Sequence, residues 1–143
     1  SMMLFYTGAL HDANKILGEE TKNLASANEK INATIRLCEM TRDLKRELEG
    51  NNVDAIGPCL KQGWEIKKSL ANGITSPLID HCYELGIAAG ASGGKLLGAG
   101  GGGFLLFYVP EAEKRKAVRE ALHELKEMPF ELDQSGATIV YTE

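Results

Sequence analysis

The chain contains 143 residues, of which 43% are hydrophobic and 25% are charged, and its formal net charge is -4 at pH 7. This is the composition of one ordinary globular domain, and it excludes a disordered or fibrous chain. The negative balance argues against a broad electrostatic surface for nucleic acid or for an anionic membrane. Any phosphate site must therefore be local, built from backbone N–H groups and a few cations.

The cysteines predict a reducing compartment. The chain has an odd number of cysteines, three, and no CxxC pair; they are Cys38, Cys59 and Cys82. We therefore expect free thiols and no metal site, and we expect a cytoplasmic protein. No signal peptide or membrane span is visible, since the longest apolar run covers only residues 104–109. Because a strand pattern opens the sequence, we expect a piece of a larger protein, with residues 1–143 as one domain.

The first half of the chain predicts one strand followed by helices. Met2–Tyr6 is apolar and aromatic, and the Thr7-Gly8 pair ends it. A short helix is expected over about residues 10–17. Ser26–Glu29 matches a capping box, in which the serine and the glutamate satisfy N–H groups at a helix start, and a long helix to about residue 49 follows.

Two more helices are predicted in the middle of the chain. Residues 53–71 have helical spacing, although Pro58 removes a hydrogen-bond donor inside the pattern. Ser76 is a good N-cap, and Pro77 suits the first helical position. A short helix ending near Gly86 is therefore expected.

The last third predicts a β-hairpin, an amphipathic helix and a final extended region. The predicted segments are a strand at 95–97, a turn at 99–102, a strand at 103–109, a helix at 111–127 and extended chain at 130–132 and 137–141. The whole order is β-α-β-β-α-β with extra helices in the first crossover. We therefore expect an α+β fold, a ferredoxin-like antiparallel sheet with helices on one face.

The most unusual feature is a glycine-rich segment, because eight of the sixteen glycines lie between Gly90 and Gly103. A flexible hairpin or linker is the simplest interpretation. Apolar strands flank the segment, however, and Lys95-Leu96-Leu97 inside it is not linker chemistry. Glycine tolerates a positive φ, and successive N–H groups can then point into one concavity and bind an anion.

Three known phosphate motifs fail on their context. Gly98–Gly103 fits GxGxxG, but a strand follows it where the dinucleotide fingerprint needs a helix. Gly94-Lys95 is followed by leucine rather than the serine or threonine of a P-loop. A protein-kinase glycine loop does lie between strands, yet only 40 residues follow Gly103, without HRD or DFG.

The whole segment, GGKLLGAGGGG at 93–103, closely resembles the third conserved motif of the GHMP kinases. The similarity extends to LFYTG at 4–8, Trp64 with Lys67, ITSPLID at 74–80 and FLLFYVP at 104–110. It covers essentially the whole chain, as the C-terminal domain of such a kinase. Within the family it is most similar to the sugar-kinase branch that phosphorylates D-glycero-D-manno-heptose 7-phosphate, with the fucokinases near it.

The resemblance implies a site as well as a fold. In the family, this loop lies beside the nucleotide phosphates, between the two domains of the enzyme. Carried over, the nucleotide- and phosphate-proximal residues are Gly93, Gly94, Lys95, Gly98, Gly100, Gly101, Gly102 and Gly103. Of these, Gly98 and Gly100–Gly102 are expected nearest to the phosphates. For Lys95, a role near the site and a purely structural or surface role both remain open.

The resemblance also implies partners that this chain does not supply. The reaction is the transfer of the γ-phosphoryl group of ATP to a sugar or small-alcohol hydroxyl, normally with Mg²⁺. The serine-rich ATP loop, the catalytic acidic residue and the metal ligands belong to an N-terminal domain that has no match here. We therefore expect no catalytic residue in the chain and no activity from it alone, and a homodimer remains open.

The sequence departs from its relatives after LFYTG. They often carry Ser-Arg there, whereas this chain has Ala9-Leu10-His11, which puts the substrate in doubt. His11 is a weak replacement candidate, and an exposed residue at a helix start is its ordinary role. Asp80 and Glu84 form a solvated helix face or a carboxylate pair, and Tyr6 and Trp64 are core residues or sugar contacts.

Two further functions remain as alternatives to a kinase. Ferredoxin-like domains also serve as standalone ligand-binding or regulatory modules, because a fold does not determine a function. The glycines could also serve only tight packing of a hairpin in a structural domain. Within the kinase interpretation, a fucokinase or another GHMP kinase is the alternative to a heptose-phosphate kinase.

Overall fold

The computed structural model describes residues 1–8, 13–26 and 28–133, together with positions 136, 139 and 141. Its elements in chain order are β1 (Met2–Tyr6), α1 (Ala13–Ser26), α2 (Asn28–Glu49), a 3-10 turn (Val53–Ala55), α3 (Ile56–Lys68), α4 (Pro77–Ala88), β2 (Gly93–Leu96), β3 (Phe104–Tyr108), α5 (Ala112–Ala121) and β4 (Lys126–Glu127). Within these residues, no helix combines the length and the apolar character needed to cross a membrane.

The sheet has the strand order β2-β3-β1-β4, and every neighbouring pair is antiparallel. Leu106 on β3 pairs with Leu4 on β1 and with Lys95 on β2, which fixes the register of the three longer strands. Helices α1 to α4 all lie in the crossover between β1 and β2. The predicted α+β, ferredoxin-like antiparallel sheet with extra helices in its first crossover is confirmed.

The core lies between the sheet and α4. The sheet side chains buried in this core include Met3, Phe5, Leu96, Leu105 and Phe107. Phe107 stacks on Tyr83 of α4, with ring centroids 5.8 Å apart, and a Cβ on Gly86 would lie 2.6 Å from the same ring. Trp64 of α3 is fully buried, 6.2 Å from the Tyr83 ring, so it packs in the core rather than against a sugar.

Helix α3 lies along strand β2 with no side chain between their backbones at one point. A Cβ on Gly93 would overlap the carbonyl oxygen of Gly57, and a Cβ on Gly57 would lie 2.5 Å from the Cβ of Ser92. Both positions therefore require glycine for close approach. At its other end, α3 brings Lys67 to the carbonyl oxygen of Gly98, so the helix and the strand run in the same direction.

The start of α3 and of α4 follows elementary helix chemistry. Pro58 lies in the first turn of α3, where a backbone N–H has no intrahelical partner in any case, so the proline does not interrupt the helix. The predicted cap of α4 is confirmed, because the Ser76 hydroxyl accepts from the N–H of Ile79 at 3.4 Å and Pro77 is the first helical residue.

The first predicted helix, over 10–17, is too short. Helix α1 continues to Ser26, so the predicted capping residue is the last residue of that helix, and α2 begins at Asn28. The extension is held by long-range contacts, since Asn23 donates to the carbonyl of Leu70 at 2.8 Å and Glu19 accepts from the N–H of Asn72 at 3.0 Å. Residues 9–12 lie outside the described residues.

The predicted helix over 111–127 is too long. Helix α5 ends at Ala121, and Lys126–Glu127 forms the edge strand β4 instead. Tyr6 pairs with Lys126, and the N–H of Met128 donates to the carbonyl of Leu4 at 2.8 Å. The segment therefore pairs with the free edge of β1 instead of continuing the helix. Residues 130–132 form no strand, and most of the predicted segment 137–141 lies outside the described residues.

Two alanine substitutions in α3 test the contact between this helix and β2. Alanine at either position favours a helix over glycine by about 1 kcal/mol. Gly57→Ala is nevertheless expected to lower the free energy of unfolding by about 1–3 kcal/mol, the usual cost of overpacking. Gly63→Ala is the matched control, since its Cβ would meet only Leu37 and Met40 at ordinary distances of 3.7 and 3.8 Å.

Urea denaturation followed by circular dichroism measures both variants. Gly63→Ala should be as stable as the original chain or more stable. Equal stability of the two variants would contradict the close approach of α3 and β2.

Candidate functional site

The segment 97–103 connects β2 to β3 and has a backbone that only glycine adopts readily. Gly98, Gly100, Gly101 and Gly103 have φ values of 79°, 116°, 76° and 99°. These angles lie in the left-handed region, which is strained for residues with a Cβ. The predicted phosphate-binding segment is therefore an ordered turn of defined shape, and the linker interpretation is excluded.

Three parts of the protein hold this loop. The N–H of Gly101 donates to the carbonyl of Ile74 at 2.8 Å. The carbonyl of Gly103 accepts from the N–H of Thr7 at 2.8 Å and from its hydroxyl at 3.0 Å. The Lys67 ammonium donates to the carbonyl of Gly98. The loop is thus fixed from the segment before α4, from the end of β1 and from α3.

Gly100 is the position with the least freedom. Its φ of 116° disfavours any side chain, and a Cβ there would lie 2.7 Å from the Cα of Ile74 and 2.9 Å from its carbonyl oxygen. Both neighbouring atoms belong to the backbone, which cannot move aside as a flexible side chain does. The close packing of the loop on Ile74 therefore requires glycine at this position.

The N–H groups of the loop show what it can bind. Leu97 and Gly101 donate to carbonyls of the protein, at 2.8 Å in each case. The N–H groups of Gly98, Gly100 and Gly102 form no hydrogen bond with the described part of the chain. A loop that offers free N–H groups from a positive-φ backbone is suited to bind an anion.

The structure divides the predicted site residues into two groups. Gly93 and Gly94 lie in β2 and are buried, with Gly57 next to the first and Leu106 and Phe107 next to the second. Their lack of a side chain therefore serves packing. Only the residues from Gly98 to Gly103 lie in the loop, and their proximity to phosphate remains a prediction.

Lys95 and Lys67 provide the positive charge next to the loop. Lys95 is half-buried on β2 and lines a cavity of about 400 Å³, together with Lys67 and Glu20. Burial lowers the pKa of the Lys67 ammonium, Lys95 lowers the pKa further by repulsion, and Glu20 raises it. The sequence analysis did not predict that Lys67 holds the loop. The one indication in the sequence was that Lys67, three residues after Trp64, is among the residues that resemble the family.

The other candidate residues contribute little to this region. Asp80 accepts from the Thr75 hydroxyl at 2.7 Å, and Glu84 is exposed, so the two form an ordinary helix face. Tyr6 packs on Phe104 with ring centroids 5.2 Å apart. His11 lies outside the described residues. Among the residues that are described, no three His, Cys, Asp or Glu side chains are grouped to hold a metal ion.

The lysine pair makes a prediction about pH. Lys95→Met removes a neighbouring cation, so it should raise the pKa of Lys67, because the charged form of Lys67 is then less opposed. Glu20→Gln removes an attractive charge and should lower the same pKa. NMR titration of ¹³C-labelled lysine side chains measures both shifts, and Lys61→Met, at an exposed position of α3, is the control. If neither substitution changes the pKa of Lys67, the three side chains do not share one cavity.

Comparison with curated proteins finds relatives among sugar kinases. The chain is 31% identical over 124 residues to the bifunctional fucokinase/GDP-fucose pyrophosphorylase of Arabidopsis thaliana, and the match covers 86% of this chain and 12% of the relative. It is 27% identical over 118 residues to the D-glycero-alpha-D-manno-heptose 7-phosphate kinase of Campylobacter jejuni, covering 82% of this chain and 34% of that protein. The chain thus spans 12% and 34% of the lengths of these two relatives.

Solved structures show the same fold at lower identity. The mevalonate kinase of L. major in complex with R-mevalonate superposes with a TM-score of 0.74 at 16% identity, covering 86% of this chain and 37% of that chain. The phosphomevalonate kinase of Streptococcus pneumoniae superposes with a TM-score of 0.70 at 17% identity, covering 86% and 36%. Residues 40–127 match the profile of the GHMP kinases C terminal. The chain belongs to the GHMP kinase family, as its C-terminal domain.

Proposed function

We propose that this chain is the C-terminal domain of an ATP-dependent kinase that transfers the γ-phosphoryl group to a hydroxyl of a sugar or a sugar phosphate. The observation that carries the proposal is the anchored loop with the free N–H groups of Gly98, Gly100 and Gly102, in a member of the GHMP kinases. The sugar class is supported by the named activities of the curated relatives.

The acceptor we propose is D-glycero-D-manno-heptose 7-phosphate, and L-fucose is the second candidate. A relative named for each sugar matches more than four fifths of this chain. The two acceptors differ in charge, because only the heptose carries a phosphate. Turnover on a panel that contains both therefore separates the two assignments.

The part of this chain in the proposed reaction is to hold and orient phosphate. Phosphoryl transfer depends mainly on positioning and on stabilising negative charge at the transferred group. N–H donors fixed in a rigid loop can do this without reorganising during the reaction. Lys67 and Thr7 hold the two ends of the loop, and Ile74 holds its middle.

Other groups in the proposed enzyme would come from outside these residues. The described residues offer no cluster of acidic or histidine ligands that fits Mg²⁺, so we assign no step to that ion here. We propose that an N-terminal domain supplies the ATP loop, the catalytic acidic residue and any metal ligands. The cytoplasm is the compartment we propose, since Cys38, Cys59 and Cys82 are all free.

Restoring the upstream domain tests the proposal. The longer protein should phosphorylate manno-heptose 7-phosphate or fucose with ATP, and the 143-residue chain alone should not. In the longer protein, Gly100→Ala should lower kcat on the order of 10²-fold, because a shift of about 1 Å in a positioning group has that effect. Coupled detection of ADP measures both rates.

A control variant separates loop geometry from general strain. Gly90 also has a large positive φ, 112°, but it lies before β2, and a Cβ there would meet only the flexible Lys114 side chain. Gly90→Ala should therefore leave kcat nearly unchanged. If the folded longer protein turns over no sugar, the kinase proposal is wrong and the regulatory-module interpretation takes its place.

A further inference from the structure

The cavity next to the glycine loop is lined by three helices and one strand and is open to solvent on one side. Its volume is about 400 Å³, within the range of about 300–1,000 Å³ that is usual for small-molecule sites. Helix α1 contributes Glu20, α3 contributes Lys67, and β2 contributes Lys95. The rest of the wall is mainly apolar and includes Leu37, Met40 and Leu44 of α2.

The polar groups of this cavity are not satisfied by one another. The Oε1 atom of Glu20 is buried and forms no hydrogen bond with any described residue. An unpaired buried carboxylate oxygen is unfavourable, because it has lost its hydrogen bonds with water and gained none from the protein. Burial lowers the pKa of the Lys67 ammonium, and repulsion from Lys95 lowers it further, so the two cations oppose each other in the cavity. Among the described residues, the cavity therefore holds one acceptor oxygen without a donor and two cations that form no ion pair within 4 Å.

These unsatisfied groups define what would fill the cavity. An anion between Lys67 and Lys95 removes their repulsion and forms charge-assisted hydrogen bonds with the ammonium groups. A hydroxyl donor satisfies the free oxygen of Glu20. The apolar wall suits the C–H faces of a carbon chain or ring. A purely apolar ligand would offer no partner to the Glu20 oxygen or to the two ammonium groups, and a simple anion would offer none to Glu20.

We propose that this cavity binds a phosphorylated sugar or polyol, with the phosphate between Lys67 and Lys95 and a hydroxyl on the carboxylate of Glu20. The inference rests on the proposed function, which it deepens by placing the acceptor in the cavity of this domain and by naming the residues that hold its phosphate and its hydroxyl. Lys67 connects the two sites, because its ammonium lines the cavity and donates to the carbonyl of Gly98.

Binding to the 143-residue chain tests the proposal without any kinase activity. Isothermal titration calorimetry with D-mannose 6-phosphate, mannose, inorganic phosphate and ATP separates the contributions. We expect mannose 6-phosphate to bind, mannose to bind more weakly by at least about tenfold, which is 1.4 kcal/mol, and ATP not to compete. Competition by ATP would assign the lysines to nucleotide phosphates and overturn the proposal.

Three variants locate the ligand in the cavity. Lys95→Met should weaken the binding of mannose 6-phosphate at least about tenfold, the size of a lost charge-assisted hydrogen bond. Glu20→Gln should weaken mannose 6-phosphate and leave inorganic phosphate unchanged. Lys61→Met removes an exposed lysine of α3, the helix that carries Lys67, and it should change the binding of neither mannose 6-phosphate nor inorganic phosphate. Circular dichroism spectra and melting curves confirm that each variant is folded.

The outcomes also separate this inference from the proposed function. Absence of binding, or equal loss in Lys61→Met and Lys95→Met, overturns the cavity assignment even if the longer protein is an active kinase. Binding with the expected variant pattern supports the cavity assignment. If the longer protein then lacks kinase activity, only the proposed function fails.

Discussion

Helix α3 and strand β2 approach each other so closely at Gly57 and Gly93 that neither position has room for a side chain. Because the helix then follows the strand, Trp64 reaches the core and Lys67 reaches the start of the glycine loop. The same approach places the side of β2 that carries Lys95 next to the cavity lined by α3. One backbone contact thus determines the core, the loop anchor and the charges beside it.

The glycines that made the sequence unusual have two separate physical roles. Gly93 and Gly94 have ordinary strand geometry and permit close packing, as Gly57 and Gly86 do in the helices. Gly98, Gly100, Gly101 and Gly103 adopt positive φ values and shape the loop. Composition alone cannot distinguish these roles, because the sequence does not show whether a glycine is needed for close packing or for a positive φ. Because Gly93 and Gly94 serve packing, the candidate anion-binding region is the loop itself rather than the whole segment 93–103.

The sequence predicted those features that depend on local chemistry or on periodicity. Strand β1, the Ser76-Pro77 start of α4 and the β-α-β-β-α-β order of elements along the chain are confirmed. The failures depend on distant contacts. The pattern of 111–127 stays helical through Leu125, yet β1 pairs with Lys126 and Glu127 and draws the chain into the sheet. The cavity was not predictable either, since Glu20, Lys67 and Lys95 are separated in sequence and meet only through packing.

Lys67 is where the loop and the cavity meet, and this has a chemical consequence. A phosphoryl transfer requires the acceptor hydroxyl close to the phosphorus atom and in line with the leaving oxygen. If the loop orients the nucleotide phosphates and the cavity holds the acceptor, a residue shared by both fixes their separation. Lys67 can do so because its ammonium has three donors, of which the carbonyl of Gly98 needs one. Apart from Gly98, no described residue accepts a hydrogen bond from the Lys67 ammonium, so in the enzyme that we propose its remaining donors are available to an anionic acceptor.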